Sequence, residues 1–314
     1  MLELRGDGPV VKLTGRLALL LTLPPVLWAG NAVVGRLAVG HVPPLALNGM
    51  RWVLASLILL PLGWRVIGTR GARAQVAARW RELAWLSFLG VGCYNALQYL
   101  ALTTSTPLNV TLIAASMPLW MMGIGGLVYG VRPHGREWLG AALSLGGVLV
   151  VLTRGEAAAL ARVHFVAGDL LMLLAVMSWA FYSWLLVRPA PSMRGEARPA
   201  WNWAELLLVQ TLFGSLFGGI GAGLEYGLTG ATVQWSPWVA LALLYVAVGP
   251  SAIAYRCWGS GVAAVGPAVA AFFSNLTPVF AAVLSALVLG EAPQGYHAAA
   301  FGLIVAGIAA SARR

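Results

Sequence analysis

Apolar residues run along this chain in stretches of roughly 20, separated by short polar gaps. A bilayer core ~30 Å thick takes about 20 residues of α-helix to cross. Reading between the gaps predicts spans near 15–37, 43–63, 83–103, 106–130, 135–153, 165–188, 204–226, 236–257, 262–290 and 295–312. Short segments of alternating polarity, the mark of a membrane β-barrel, are not visible. Only helices or closed barrels satisfy the backbone inside a bilayer. The predicted fold is therefore an all-α membrane protein of ten transmembrane helices.

One stretch is written twice. "TPLNVTLIAASMPLWMMGIGGLVYGVRP" (106–133) and "GPAVAAFFSNLTPVFAAVLSALVLGEAP" (266–293) align at an offset of 160 positions. Pro107, Pro118 and Pro133 then fall on Pro267, Pro278 and Pro293, and Gly135, Leu143 and Gly147 fall on Gly295, Leu303 and Gly307. A weaker echo joins Trp28-Ala29 to Trp179-Ala180. The repeat predicts two five-helix halves, residues 1–155 and 156–314. Five is odd, so the second half enters from the opposite side of the membrane. Inverted repeats of this kind build transporters whose site lies at mid-membrane between the halves.

Composition agrees with the span count. The chain of 314 residues is 60% hydrophobic and 10% charged, with a mean hydropathy of +0.81; soluble domains carry about 25% charged residues. The net charge of +10 does not point to nucleic acid, because the basic residues lie in the gaps between spans rather than on one folded face. With the N-terminus inside, sixteen Lys and Arg fall in inside gaps and three (Arg36, Arg154, Arg162) in outside gaps. By the positive-inside rule both termini are cytoplasmic. The first span contains Pro24, Pro25 and Asn31 and lacks a small-residue cleavage site, so it reads as a retained helix rather than a signal peptide. Cys93 and Cys257 form no disulfide or metal framework.

Polar and aromatic side chains inside spans are the candidate chemistry, because such groups are costly in lipid and turn toward the bundle interior. The third span carries Tyr94 and Gln98, and Asn95 and Tyr99, each pair four residues apart on one stripe. The first offers Trp28 and Asn31, the sixth Ser178, Trp179 and Tyr182, the eighth Ser251 and Tyr255, and the ninth Asn275. Each could serve as an interhelical hydrogen bond or as a solute contact. Trp28, Asn31, Tyr94, Gln98, Tyr99, Trp179, Tyr182, Ser251, Tyr255 and Asn275 are taken as the substrate-binding candidates. Rings recognise other rings by offset or edge contact and hold ammonium groups over their faces. Pro118 and Pro278 are the gating candidates, as kinks within helices four and nine, with Ser116 and Asn275 placed to partner freed carbonyls. Arg51, inside the second span, is expected to snorkel or to pair with a carbonyl. Asp169 is the one carboxylate within a span that could hold a coupling proton, although a helix N-terminus favours its charged form. In the seventh span Gly214/Gly218 and Gly219/Gly223 read as close-packing pairs of a peripheral scaffold helix. Trp138, Trp201, Trp203, Trp235 and Trp238 read as interfacial anchors.

The stretches "LWAGNAVVGRLA" (27–38), "LNGMRWVLASLILL" (47–60) and "QYLALTTSTPLNVTLIAASMPLW" (98–120), followed by the second-half stretch from Gly266 and "FGLIVAGI" (301–308), resemble the EamA-type drug/metabolite transporters. Within that superfamily the chain resembles the bacterial aromatic amino-acid exporters. The resemblance implies ten helices in two inverted halves, an inner-membrane location and efflux of amino acids or similar metabolites by alternating access. The family's glutamate after the glycine that closes the fourth helix is Val131 here, whereas its second-half counterpart, Glu291, is present. The expected partners are a small-molecule solute and membrane lipid, with no nucleic acid and a monomer as the working unit. No catalytic residue, metal or cofactor is expected, since HExxH, GxSxG, paired carboxylates and a phosphate loop are all missing from the sequence. The alternatives are a membrane-embedded enzyme and a small-solute channel.

Overall fold

The computed structural model describes residues 13–38, 40–105, 107–162, 164–289 and 294–312. The described residues form helices and connecting segments without strands. In chain order the membrane helices are α1 (Gly15–Ala38), α2 (Pro44–Gly63), α3 (Trp80–Ser87, Phe88–Cys93, Tyr94–Thr104), α4 (Pro107–Ala115, Met117–Tyr129) and α5 (Gly135–Leu152). They continue with α6 (Ala167–Val187), α7 (Trp203–Thr229), α8 (Pro237–Val246, Ala247–Ile253, Ala254–Val265), α9 (Pro267–Ser274, Thr277–Leu289) and α10 (Gly295–Ala312). Eight of these are long and apolar enough to cross a bilayer, and the two pieces of α4 make a ninth. The tenth, α3, is diluted by Tyr94, Asn95, Gln98 and Tyr99, which lower its apolar content. The chain is an integral membrane protein.

Boundaries moved most in the eighth span. The sequence placed its end at 257, whereas α8 runs to Val265, so Arg256 lies on the helix rather than in a gap. Its guanidinium stacks 4.9 Å from the Trp203 ring at the start of α7.

Both halves depart from α-helix at matching places. The middle of α3 (Phe88–Cys93) and the middle of α8 (Ala247–Ile253) are π-helical; such turns are rare and concentrate at functional sites. α4 breaks at Ser116 with a 41° bend, and α9 breaks between Ser274 and Thr277. Interhelical contacts come in swapped pairs: α1 packs on α8 and α9, while α6 packs on α3 and α4. The helices α2 and α7, α5 and α10, and α4 and α9 pack on their own counterparts. A two-fold relation between the halves produces this pattern.

Glycine sets the two longest seams. A β-carbon on Gly49 would meet the Gly218 carbonyl oxygen at 2.9 Å, and one on Gly63 would meet that of Ala204 at 3.0 Å. α2 and α7 therefore run antiparallel, as an inverted repeat requires. Similarly, Gly140 faces the carbonyl of Gly307 at 2.8 Å, and Gly147 faces that of Ala300 at 2.8 Å, across α5 and α10. In α7, Gly214 and Gly218 lie in such contacts, but Gly219 and Gly223 meet nothing within 4 Å. The second predicted packing pair is thus on the outer surface of the bundle, because α7 offers only one face to α2.

The connections 64–79 and 188–202 share one end of the bundle. Arg65 donates to Glu205 at 2.6 and 3.0 Å and to the Ala200 carbonyl at 2.7 Å. Arg79 donates to the carbonyls of Ser192 (2.9 Å) and Ala197 (2.7 Å). At the other end the Glu225 carboxylate accepts from the Leu45 and Ala46 amides that open α2, at 2.9 to 3.2 Å.

Candidate functional site

The centre of the bundle is polar around a single cation. Arg51 is 1% exposed and lies about 10 Å into α2 from Pro44, at 1.5 Å of rise per residue. Its Nε donates to Ser251 Oγ at 3.0 Å, and its Nη1 donates to Asn95 Oδ1 (3.1 Å), Tyr99 Oη (3.2 Å) and Asn31 Oδ1 (3.5 Å). Tyr99 in turn donates to Asn31 at 3.4 Å. One guanidinium so ties together α1, α2, α3 and α8, three helices of the first half and one of the second. Of the two expectations for Arg51, snorkelling is overturned, while pairing with a carbonyl is met by the side-chain amide oxygens of Asn95 and Asn31. Side-chain acceptors from three neighbouring helices reach it at its own depth, so the chain has no cause to stretch toward water.

Aromatic rings close around this network. Trp179 of α6 is the hub: its ring lies 5.4 Å from Trp28 at 88°, 5.2 Å from Tyr94, 5.1 Å from Tyr182, 5.3 Å from Tyr255 at 86°, and 5.6 Å from Trp258. Trp52 meets Tyr255 edge-on at 5.2 Å and lies 4.8 Å from the Arg51 guanidinium. Edge and tilted contacts of this kind add roughly 0.5–1.5 kcal/mol per pair beyond burial. Trp28 and Trp179, the two echoes across the halves, thus touch each other at the centre.

The π-helical turns place the partners of these rings. Tyr255 Oη donates to the Gly90 carbonyl at 2.6 Å, and Trp28 Nε1 donates to the Pro250 carbonyl at 3.3 Å. Gly90 and Pro250 are 160 positions apart and each lies in a π-helical segment. Gly90 carries no side chain for a steric reason: a β-carbon there would be 2.4 Å from the Tyr182 ring. Ser251, in the second π-helical segment, donates to the Val246 carbonyl at 2.8 Å while accepting from Arg51. Trp179 Nε1 is buried with no hydrogen-bond partner. The acceptor equivalent to the one that Trp28 uses is Gly90, and Tyr255 already occupies it.

The structure brings eight of the ten predicted residues to this place: Trp28, Asn31, Tyr94, Tyr99, Trp179, Tyr182, Ser251 and Tyr255. Gln98 is half-buried on α3 and has no described hydrogen bond to the cluster. Asn275 lies apart, donating to the Ala115 carbonyl at 3.3 Å and to Ser144 Oγ at 2.8 Å. Sequence reading missed Arg51 as the organiser and Trp52 and Trp258 as members, and it placed Asn95 on the polar stripe of the third span without counting it among the substrate-binding candidates. A signal for Arg51 existed, since a lone Arg within a span has to find partners.

Asp169 is committed to structure. Its carboxylate accepts from the Ser105 hydroxyl, from Asn109 Nδ2 at 2.8 Å and from the Val166 amide at 2.8 Å. It caps α6 and pins the α3–α4 connection to it. The prolines differ from expectation too. Pro118 and Pro278 are not kinks inside continuous helices; each stands in the first turn after a break, where proline costs no backbone bond. Ser116 Oγ takes the Ile113 carbonyl at 2.6 Å at the first break. Pro293 and Glu291 lie outside the described residues. A separate groove of 510 Å³ between α4 and α6, lined by Leu112, Ile113, Leu119, Trp120, Gly123, Phe165 and Leu173, has as polar side-chain groups the Ser116 hydroxyl and the Trp120 indole N–H, which donates to that hydroxyl at 3.2 Å.

Known proteins resemble this chain over nearly its whole length. A probable amino-acid metabolite efflux pump of Salmonella typhimurium is 27% identical over 298 residues, covering 94% of this chain and 93% of that protein. A protein of Archaeoglobus fulgidus named an uncharacterized transporter is 27% identical over 290 residues, covering 92% and 95%. A protein of Escherichia coli named an uncharacterized inner membrane transporter, YedA, is 24% identical over 284 residues, covering 89% and 85%. A solved crystal structure superposes with a TM-score of 0.73 at 23% identity, covering 94% of this chain and 96% of its own, and so shares the fold. The EamA-like transporter family model matches twice, over residues 16–153 and 166–313. With ten membrane helices among the described residues, an inverted repeat and two family matches in tandem, the chain belongs to the EamA-like transporter family.

Proposed function

We propose that this transporter exports amino acids, aromatic ones foremost, or related small metabolites across the inner membrane by alternating access of its halves, 1–155 and 156–314. The observation that carries the reading is the Arg51 network inside the aromatic shell, shared by α1, α2, α3, α6 and α8. Rings suit an aromatic or apolar body, and amides and hydroxyls suit the ends of a zwitterion. The names of the efflux-pump relatives support the solute class. Gating at the breaks of α4 and α9, and cytoplasmic termini, complete the proposal. The small solute is the partner, and the chain acts as a transporter rather than an enzyme.

Proteoliposomes test it. Counterflow of labelled amino acids should be saturable and should return the solute unchanged. Non-saturable flux would establish a channel instead, and a chemically altered product would establish an enzyme.

A further inference from the structure

Arg51 carries a full charge into the bundle, and each of its described hydrogen bonds goes to a neutral acceptor. No described carboxylate forms an ion pair with it. Asp169 is taken by Ser105, Asn109 and Val166, Glu205 by Arg65, Glu225 by two amides of α2, Glu137 by the His134 amide, and Glu82 by Ser192. Glu156 and Glu196 are exposed in connections. A charged side chain in a span is costly even by the lenient insertion scale. A protein that needed only a structural bond here could use a neutral donor. Trp179 Nε1, a buried donor of the same cluster, has no hydrogen-bond partner. It is linked to Arg51 through the rings of Tyr255 and Trp52. The indole asks for an acceptor, and the cation, hydrogen-bonded but with no described counter-charge, asks for an anion.

We propose that Arg51 is the anchor for a carboxylate on the transported solute, with the Trp28, Trp179, Tyr94 and Tyr255 rings taking its apolar body. This rests on the transport reading above and narrows it to carboxylate-bearing solutes, zwitterions or monoanions, against amines. The guanidinium fork matches a carboxylate in two parallel bonds. Two of its present partners can yield without being orphaned, because Ser251 keeps the Val246 carbonyl and Tyr99 keeps Asn31. Neutral acceptors hold the side chain in place, and no carboxylate among the described residues compensates its charge before an anion arrives. A cationic solute meets repulsion in a medium of low dielectric, where charges interact far more strongly than in water.

The test uses three probes that share a phenyl body and differ at the polar end: 3-phenylpropionate, L-phenylalanine and 2-phenylethylamine. Binding to the purified full chain is read by thermal shift and tryptophan fluorescence, and flux by counterflow. Both carboxylates should bind, with the amine at least about tenfold weaker, and Arg51→Gln should erase that preference. Amine binding within about threefold of the carboxylates in the unaltered protein overturns the proposal, as does binding by neither carboxylate; neither result needs a variant that folds. Carboxylate preference without flux would leave the anchor standing and remove the transport reading. Saturable flux without carboxylate preference would do the reverse.

Discussion

Asn275 donates to the carbonyl of Ala115, its own counterpart 160 positions earlier, at 3.3 Å, and to Ser144 Oγ at 2.8 Å. At the α4 break Leu119 turns to the Ser116 carbonyl, which leaves the Ala115 carbonyl without its helical partner, and Asn275 supplies one. The two broken helices are therefore tied at their breaks. Asn275→Leu should orphan that carbonyl and lower stability by about 1–3 kcal/mol, read as thermal unfolding in detergent, with solute affinity in the remaining folded protein unchanged. Loss of affinity at unchanged stability would return Asn275 to the solute site.

The same breaks give the prolines their role. Pro118 and Pro278 cannot donate to carbonyls four residues back, so they keep the helix pieces from fusing. Alanine would permit fusion and straighten each helix. We expect Pro118→Ala and Pro278→Ala to slow transport without abolishing binding, and to bias the protein toward opposite access states because the halves are inverted. Accessibility labelling of single cysteines at the two cavity mouths would show it. Shifts in one direction, or none, would make the prolines shape-setting only.

Trp179 and Tyr99 bracket the proposed site from α6 and α3. Trp179→Ala removes the hub of five ring contacts and should cost about 3–5 kcal/mol of stability besides lowering flux of an aromatic solute. Tyr99→Phe is the cleaner variant, deleting one hydroxyl from the Arg51 network. It should lower counterflow several-fold while the folded fraction in size-exclusion chromatography holds. Parallel loss of folded protein and flux would assign Tyr99 to packing.

Orientation can be read directly. The connections 64–79 and 188–202 are joined by Arg65–Glu205 and by the Arg79 bonds, so they share a face whichever way the bundle is inserted. Cytoplasm-active reporters fused after Arg73 and after Arg314 should be active, and one near Thr104 silent. A silent C-terminal fusion would contradict the even helix count.

What the chain's pattern determined by itself was the architecture. Apolar run length and prolines recurring at one offset are local or periodic features, and they mark out the spans and the repeat with little help from tertiary contacts. The aromatic and amide residues of the centre were legible for a related reason: polarity inside a span has few places to go but inward. Tertiary structure decided how those inward residues divide. Asn275 and Tyr255 look alike in sequence, each a polar residue within a second-half span, yet helix crossing sends one to a break and the other to the ring cluster. The role of Arg51 depended on acceptors from α1, α3 and α8, which lie 20 to 200 positions away along the chain and reach it only when the helices of the first half pack together and α8 of the second closes on them. The π-helical turns that aim Ser251 and free the Gly90 carbonyl leave no periodic signature, because one extra residue in a turn is a response to packing rather than a property of any residue within it.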